Sequence, residues 1–252
     1  MTLLSARFPR AVLTALLALA LLVGCAATPT NPDAEARPVT TEEAQLLAVA
    51  RFRSFDSGTR PFVTEVRERG TDLSLQGWVD YTNHLGYAAV TGEFDPQALL
   101  WTSTTVGIIP AQPDAEGYPP LPIPALQDTG WVSHPLDNTQ SRLDGLLAVI
   151  GGLGADRPDN PLLLQQAGAL WIREDEVDGN PVTVFAAPPS DQPLNSSSAP
   201  VTADSSSLRL WVDAAGLILR ADVLVGTDWV MVDFLPLSGP SLTLPASSEG
   251  VG

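Results

Sequence analysis

His84 and His134 are the chain's two histidines, and they stand fifty positions apart. Neither belongs to a His-Glu-x-x-His pair, and one cysteine cannot complete a zinc site around them. Each lies beside a turn-type residue, Asn83 or Pro135, as loop histidines do. Glu174-Asp175-Glu176-Val177-Asp178-Gly179 opens like a calcium loop, with acids at positions 1, 3 and 5 and glycine at 6. Position 12, where a bidentate glutamate is needed, is Phe185. An Asp-Gly between strand-like flanks is a hairpin turn instead. Gly151-Gly152-Leu153-Gly154 follows a helical pattern, not a strand, so it ends a helix and binds no dinucleotide. All 13 basic residues are arginines, which excludes a Schiff-base lysine, a P-loop lysine and a Ser-x-x-Lys nucleophile. There is no Gly-x-Ser-x-Gly elbow. The sequence therefore predicts no enzyme, no metal and no cofactor.

The sole thiol is placed differently. Arg7 and Arg10 precede a thirteen-residue apolar stretch, Ala11 to Val23, broken only by Thr14. A membrane-spanning helix needs about twenty apolar residues, so this run has the length of a signal-peptide core. It ends in Leu22-Val23-Gly24-Cys25. That tetrapeptide resembles the lipobox of bacterial lipoproteins. The resemblance implies cleavage between Gly24 and Cys25 and transfer of a diacylglyceryl group to the Cys25 sulfur, giving a palmitate-class acyl anchor. Residues 1–24 then form a signal peptide, and the mature chain sits on the extracytoplasmic face of the cell membrane. Two acyl chains hold firmly where one holds marginally. With one cysteine in the chain, no intrachain disulfide can form.

Removing residues 1–24 leaves eleven arginines against 29 acids, a balance of −18. Such a surface repels nucleic acid and anionic headgroups. Residues 25–39, rich in Ala, Pro and Thr, read as a lipidated tether. Residues 40–247 read as a single α+β domain, interrupted by Pro-rich loops at 110–135 and 188–206.

Thr40-Thr41-Glu42-Glu43 has capping-box spacing and opens a helix with Leu46, Val49 and Ala50 on one side, stopped at Asp56-Ser57-Gly58. Phe62–Glu68, Thr71–Tyr81, Leu85–Gly92 and Ala98–Ile109 read as four strands, with Glu93–Gln97 as a connection. Leu73, Leu75, Gly77 and Val79 share a strand face, opposite Ser74, Gln76, Trp78 and Asp80, which predicts a sheet covered on one side. Seven prolines between Pro110 and Pro135 exclude helix and inner strand, and Trp131 is the residue expected to pin this run down. A second helix is predicted over Thr139–Ile150, with Leu143, Leu146, Leu147 and Ile150 in helical spacing. Five strands follow, at Ala167–Glu176, Val182–Ala187, Ser207–Asp213, Gly216–Val225 and Trp229–Leu235.

Three stretches in this layout resemble the LolA-like lipoproteins, especially the actinobacterial LppX/LprG-type group. They are Asn160-Pro161-Leu162-Leu163-Leu164, the Val177-Asp178-Gly179 hairpin, and the strand–turn–strand from Leu210-Trp211-Val212-Asp213 through Ala214-Ala215-Gly216 to Leu217-Ile218-Leu219-Arg220. The resemblance implies a large antiparallel sheet, a half-barrel wrapped around or backed by two helices, enclosing an apolar cavity for acyl chains. Its implied role is to bind or carry a lipid or glycolipid. The patterning nominates Leu73, Leu75 and Val79 on the sheet and Leu143, Leu147 and Ile150 on the helix as lining residues. The same residue types would equally build a filled core. The competing expectation is a non-enzymatic interaction or regulatory module that binds an envelope protein through a sheet edge or the Pro-rich loops.

Overall fold

The structure, a computed structural model, describes residues 36–125, 130–188 and 202–245. The signal segment, Cys25 and most of the tether lie outside them, as does much of the 188–206 loop. The chain folds as β1 (Arg37–Pro38), α1 (Thr41–Asp56), β2 (Thr59–Glu68), β3 (Thr71–Asp80), β4 (Leu85–Gly92), β5 (Phe94–Trp101), β6 (Thr105–Pro110) and β7 (Val132–Pro135). After these come α2 (Arg142–Gly152), α3 (Pro161–Gln166), β8 (Leu170–Val177), β9 (Asn180–Ala186), β10 (Leu208–Asp213), β11 (Ile218–Val225) and β12 (Asp228–Phe234).

All twelve strands join one sheet in the order β1-β8-β9-β10-β11-β12-β2-β3-β4-β5-β6-β7. Two runs of consecutive hairpins meet where β12 pairs with β2, and the sheet remains open. Its edges are short, two residues in β1 and four in β7, which limits unpaired backbone. Turn chemistry sets the registers. Asp178 and Gly179 both have positive φ, 50° and 80°, the two left-handed positions that a tight hairpin needs. Gly86 faces Trp101 across β4 and β5, and a Cβ there would lie 2.0 Å from the indole. Only glycine admits that ring, which then meets Phe62 edge-on at 6.0 Å.

The helices cover one face of the sheet. Thr40 caps α1 as expected: its hydroxyl accepts from the Glu43 N–H at 3.3 Å, and the Glu43 carboxylate accepts from the Thr40 N–H at 2.8 Å. The buried stripe of α1 is Ala44, Leu47, Ala48, Ala50 and Ser54 rather than one through Leu46 and Val49, which are half-buried. Small residues let α1 lie close to the sheet, and the Leu47 register leaves Val49 against the Gly216 turn. The start of α2 is Arg142, three residues later than expected, because Asp137 holds Thr139 in a turn and Ser141 caps the helix. Its Leu143, Leu146, Leu147 and Ile150 are all buried.

Five elements differ from expectation, one of them β7, which pairs Val132–Pro135 of the expected Pro-rich loop with β6 as a short edge strand. Ala98–Ile109 is two strands, because the Thr102 hydroxyl accepts from the Thr104 and Thr105 N–H groups and turns the chain. The expected connection Glu93–Gln97 is largely β5. The Asn160–Leu164 run is a third helix: Asn160 caps it and Pro161 occupies its first turn. Arg37–Pro38, at the end of the expected tether, pairs with β8.

The expectation of a sheet covered on one side also needs correction. Trp78, Tyr87, Leu100 and Leu242 form a second buried cluster on the face opposite the helices. The Pro-rich run covers it: Tyr118 stacks on Trp78 at 4.6 Å, and the Tyr87 hydroxyl donates to the Pro120 carbonyl at 3.0 Å. Trp131 packs into the same cluster. Burial pushes the Tyr87 phenol up to about 12.

Candidate functional site: clefts around the second helix

The space between sheet and helices is filled at its centre and open at its margins. Leu146, Leu147, Ile150, Phe62 and Leu75 are all 0% exposed and belong to one core. Around this plug, α2 borders three clefts.

The first, of about 190 Å³, lies between α2 and β3–β5 and is lined by Val79, Tyr81, Leu85, Trp101, Leu147 and Gly151. Its polar border is Asp80, a buried carboxylate that accepts from the Asn83 N–H (3.0 Å), the Asn83 amide (3.0 Å) and the Leu242 N–H (2.9 Å). Burial works against the charge, but these hydrogen bonds outweigh it and hold the carboxyl below the usual range.

The second cleft, of about 330 Å³, lies where α1, α2 and α3 meet the end of β10, with Leu47, Leu153, Leu164, Leu208 and Leu210 in its wall. Arg51 and Asp159, paired at 3.2 Å, also line it. Arg51 donates to the Gly152 carbonyl as well, at 3.0 Å, tying α1 to the end of α2.

The third cleft, of about 360 Å³, lies under the start of α2 against β3–β6. Leu73, Val90, Phe94, Leu99, Ile108 and Leu143 give it an apolar wall, with Glu68, Arg69 and Gln97 also lining it. The Glu68 carboxylate accepts from the Leu143 N–H at 3.1 Å, so it satisfies an orphan donor of α2 while fixing Leu143 in the wall.

The six nominated lining residues are thus divided. Leu73 and Leu143 share the third cleft, Val79 and Leu147 share the first, and Leu75 and Ile150 are solid core. Sequence reasoning missed Phe94, because the first half of β5 lies in the expected connection Glu93–Gln97. It missed the second cleft altogether, since its wall depends on Leu47 of the misassigned helix stripe and Leu164 of the unassigned third helix. The alternation of Leu208 and Leu210 was the one available signal for it.

The residues tested for chemistry are used otherwise. His84 sits at φ 53° in the β3–β4 turn, and His134 lies in β7 with its Nε2 3.3 Å from Asp144. Glu174 accepts from the Trp171 indole N–H and the Thr183 hydroxyl, both at 3.1 Å. Asp175 accepts from the Trp211 indole N–H at 3.0 Å and pairs with Arg173 at 2.8 Å. Among the described residues, no group of three His, Cys, Asp or Glu is arranged to hold a metal. No described helix is long and apolar enough to cross a membrane.

One charge is buried without a carboxylate. Arg60, 3% exposed, donates to the Ile218 carbonyl at 2.5 Å and lies 4.7 Å over the Phe234 ring. Its Nη2 and the Tyr81 hydroxyl are buried without a hydrogen-bond partner among the described residues. Burial lowers the Arg60 pKa and raises that of Tyr81.

No protein-family model matches the sequence, and no curated protein does. Among solved structures, the chain is similar to lipoprotein LppX of Mycobacterium tuberculosis, at 11% identity and a TM-score of 0.40, over 78% of this chain and 96% of that one. It is also similar to LprF of Mycobacterium bovis, at 14% identity and a TM-score of 0.40, over 83% of this chain and 98% of that one. Both are mycobacterial lipoproteins of the LppX/LprG type.

Proposed function

We propose that this chain is a lipoprotein of the cell envelope, anchored on the extracytoplasmic face through Cys25, that holds the acyl part of a lipid or glycolipid beside α2. The observation that carries the reading is the pair of apolar clefts of about 330 and 360 Å³ on the helix-covered face. These volumes fall at the lower end of the range for ligand sites, and the apolar walls with a few polar rim groups match the usual design. They suit one chain each and exclude a whole multi-chain lipid from either cleft alone. The role is binding without catalysis.

Titration with a pyrene-labelled fatty acid tests this. Saturable binding is expected, and it should weaken when Leu73→Trp and Leu210→Trp narrow the two clefts. Non-saturable partitioning, equal in the variant, would remove the reading. The anchor is tested separately by feeding cells an alkyne fatty acid: the wild-type chain should carry the tag and Cys25→Ser should not.

A second reading, docking of an envelope protein on a sheet edge, is favoured by β7. All four of its residues are exposed, Val132 at 71%, so it offers an edge for strand addition. Ser133→Pro should abolish such pairing and leave fatty-acid binding intact.

A further inference from the structure

The third helix carries an apolar tip with no counterpart to cover it among the described residues. Leu162 and Leu163 are 61% and 47% exposed, while the next residue, Leu164, lines the second cleft. Folding does not explain the two exposed leucines. Their place relative to the incoming chain does. Arg37 lies twelve positions beyond Cys25, a span of at most roughly 40 Å. From Arg37 on, the chain is fastened to α3 and its junction with β8. The Val39 N–H donates to the Ala169 carbonyl at 3.3 Å, and the Gln165 amide donates to the Val39 carbonyl at 3.2 Å. Arg37 itself pairs with Glu43 at 2.6 Å and lies 4.3 Å over the Trp171 ring. The chain that arrives from the anchor is therefore fixed to the element that bears the exposed leucines.

Charge agrees with this placement. The body is strongly acidic, yet three acids in the segments beside α3 are matched: Asp156 pairs with Arg157, Asp159 with Arg51 and Glu43 with Arg37. A bilayer surface would be repelled by unpaired carboxylates here and is not repelled by these pairs. We infer that the α3 tip, Leu162 and Leu163, docks into the bilayer to which Cys25 is anchored and brings the mouth of the Leu164 cleft to the level of the acyl chains. This rests on the proposed anchor and gives the second cleft a direct route for loading from the membrane. Two leucines add a shallow interfacial contact and leave the hold itself to the lipid anchor.

The test uses the full lipidated chain in vesicles of phosphatidylcholine and phosphatidylglycerol in equal parts. Leu162→Cys and, as a control at the start of β9, Asn180→Cys are each treated with a thiol-reactive nitrobenzoxadiazole dye. The dye at position 162 should emit to the blue of the dye at 180 and be quenched by doxyl-labelled lipid, and Leu163→Asp should remove most of the shift. Equal, unquenched emission from both sites on vesicle-bound protein overturns the docking and leaves the anchor intact. Uptake of dye by the wild-type chain reports a free Cys25 thiol, which overturns the anchor reading and the docking with it.

Discussion

The middle and the two ends of the space under α2 are built from the same side-chain types and behave as different materials. In the middle, Leu146, Ile150, Leu75 and Phe62 leave no accessible surface. At the ends, Leu73 and Leu143 on one side and Leu47, Leu164 and Leu210 on the other leave clefts of several hundred cubic ångströms. The middle is where α2 rests on β2 and β11, the strands that flank β12 where the two hairpin runs join. A short helix cannot follow a twelve-stranded sheet to both margins. Capacity for an apolar ligand therefore arises at the helix ends, where the cover runs out, and needs no hollow core. Whether a leucine packs or borders a cleft depends on where the helix cover stops over the sheet, which residue type does not record.

This contrast can be broken by mutation. Leu146→Ala, at the centre, should cost about 2–5 kcal/mol, because the cavity cannot relax; urea denaturation with an unchanged m-value checks it. The half-buried Leu73 should lose well under half as much when truncated to alanine. Next in size is Asp80→Ala, which strands the buried Leu242 N–H and releases the part-buried Asn83 N–H at the border of the first cleft, and should cost about 1–3 kcal/mol. A thermal melt at neutral pH measures it. The folded pKa of Asp80 lies below its unfolded value, so its contribution is present above the unfolded pKa and fades as pH falls through the folded one. The wild type should lose stability on that acid limb more steeply than the variant does. Leu73→Trp reverses the contrast: it should alter stability by only about 0.5 kcal/mol while displacing ligand from the third cleft. The smallest effect belongs to Glu43, held at about 2 by Arg37 against a usual 4.5, with burial opposing. Its contribution is complete above about 4.5 and lost between there and about 2. Glu43→Gln should therefore flatten the stability profile slightly in that window alone.

Much of the fold could be read in local patterns. The Thr40–Glu43 box, the Asp178-Gly179 turn and the spacing of Leu143, Leu146, Leu147 and Ile150 each determine structure within a few residues, and each formed in place. The Trp211-to-Arg220 hairpin likewise holds: Asp213 accepts from the Ala215 and Leu217 N–H groups to make its turn. What escaped depends on distant partners. Trp78 looked solvent-facing because its cover, Tyr118, lies forty residues on. The tether looked longer because the pairing of Arg37–Pro38 is with Trp171 and Leu170. The six-residue α3 is too short to show a period, so the second cleft could not be seen in advance. The nominated residues lie on the helix-covered face. Dividing them into cleft and core required knowing where α2 ends relative to the sheet, which no local pattern carries.

The account stands on the clefts holding lipid. Native mass spectrometry of the Cys25→Ser chain, prepared from a bacterial envelope fraction without detergent, examines that most directly, since no covalent acyl group then contributes mass. The expected spectrum contains protein plus a bound lipid, reduced in a Leu73→Trp, Leu210→Trp double variant. A spectrum of bare protein alone, identical in both, would contradict it.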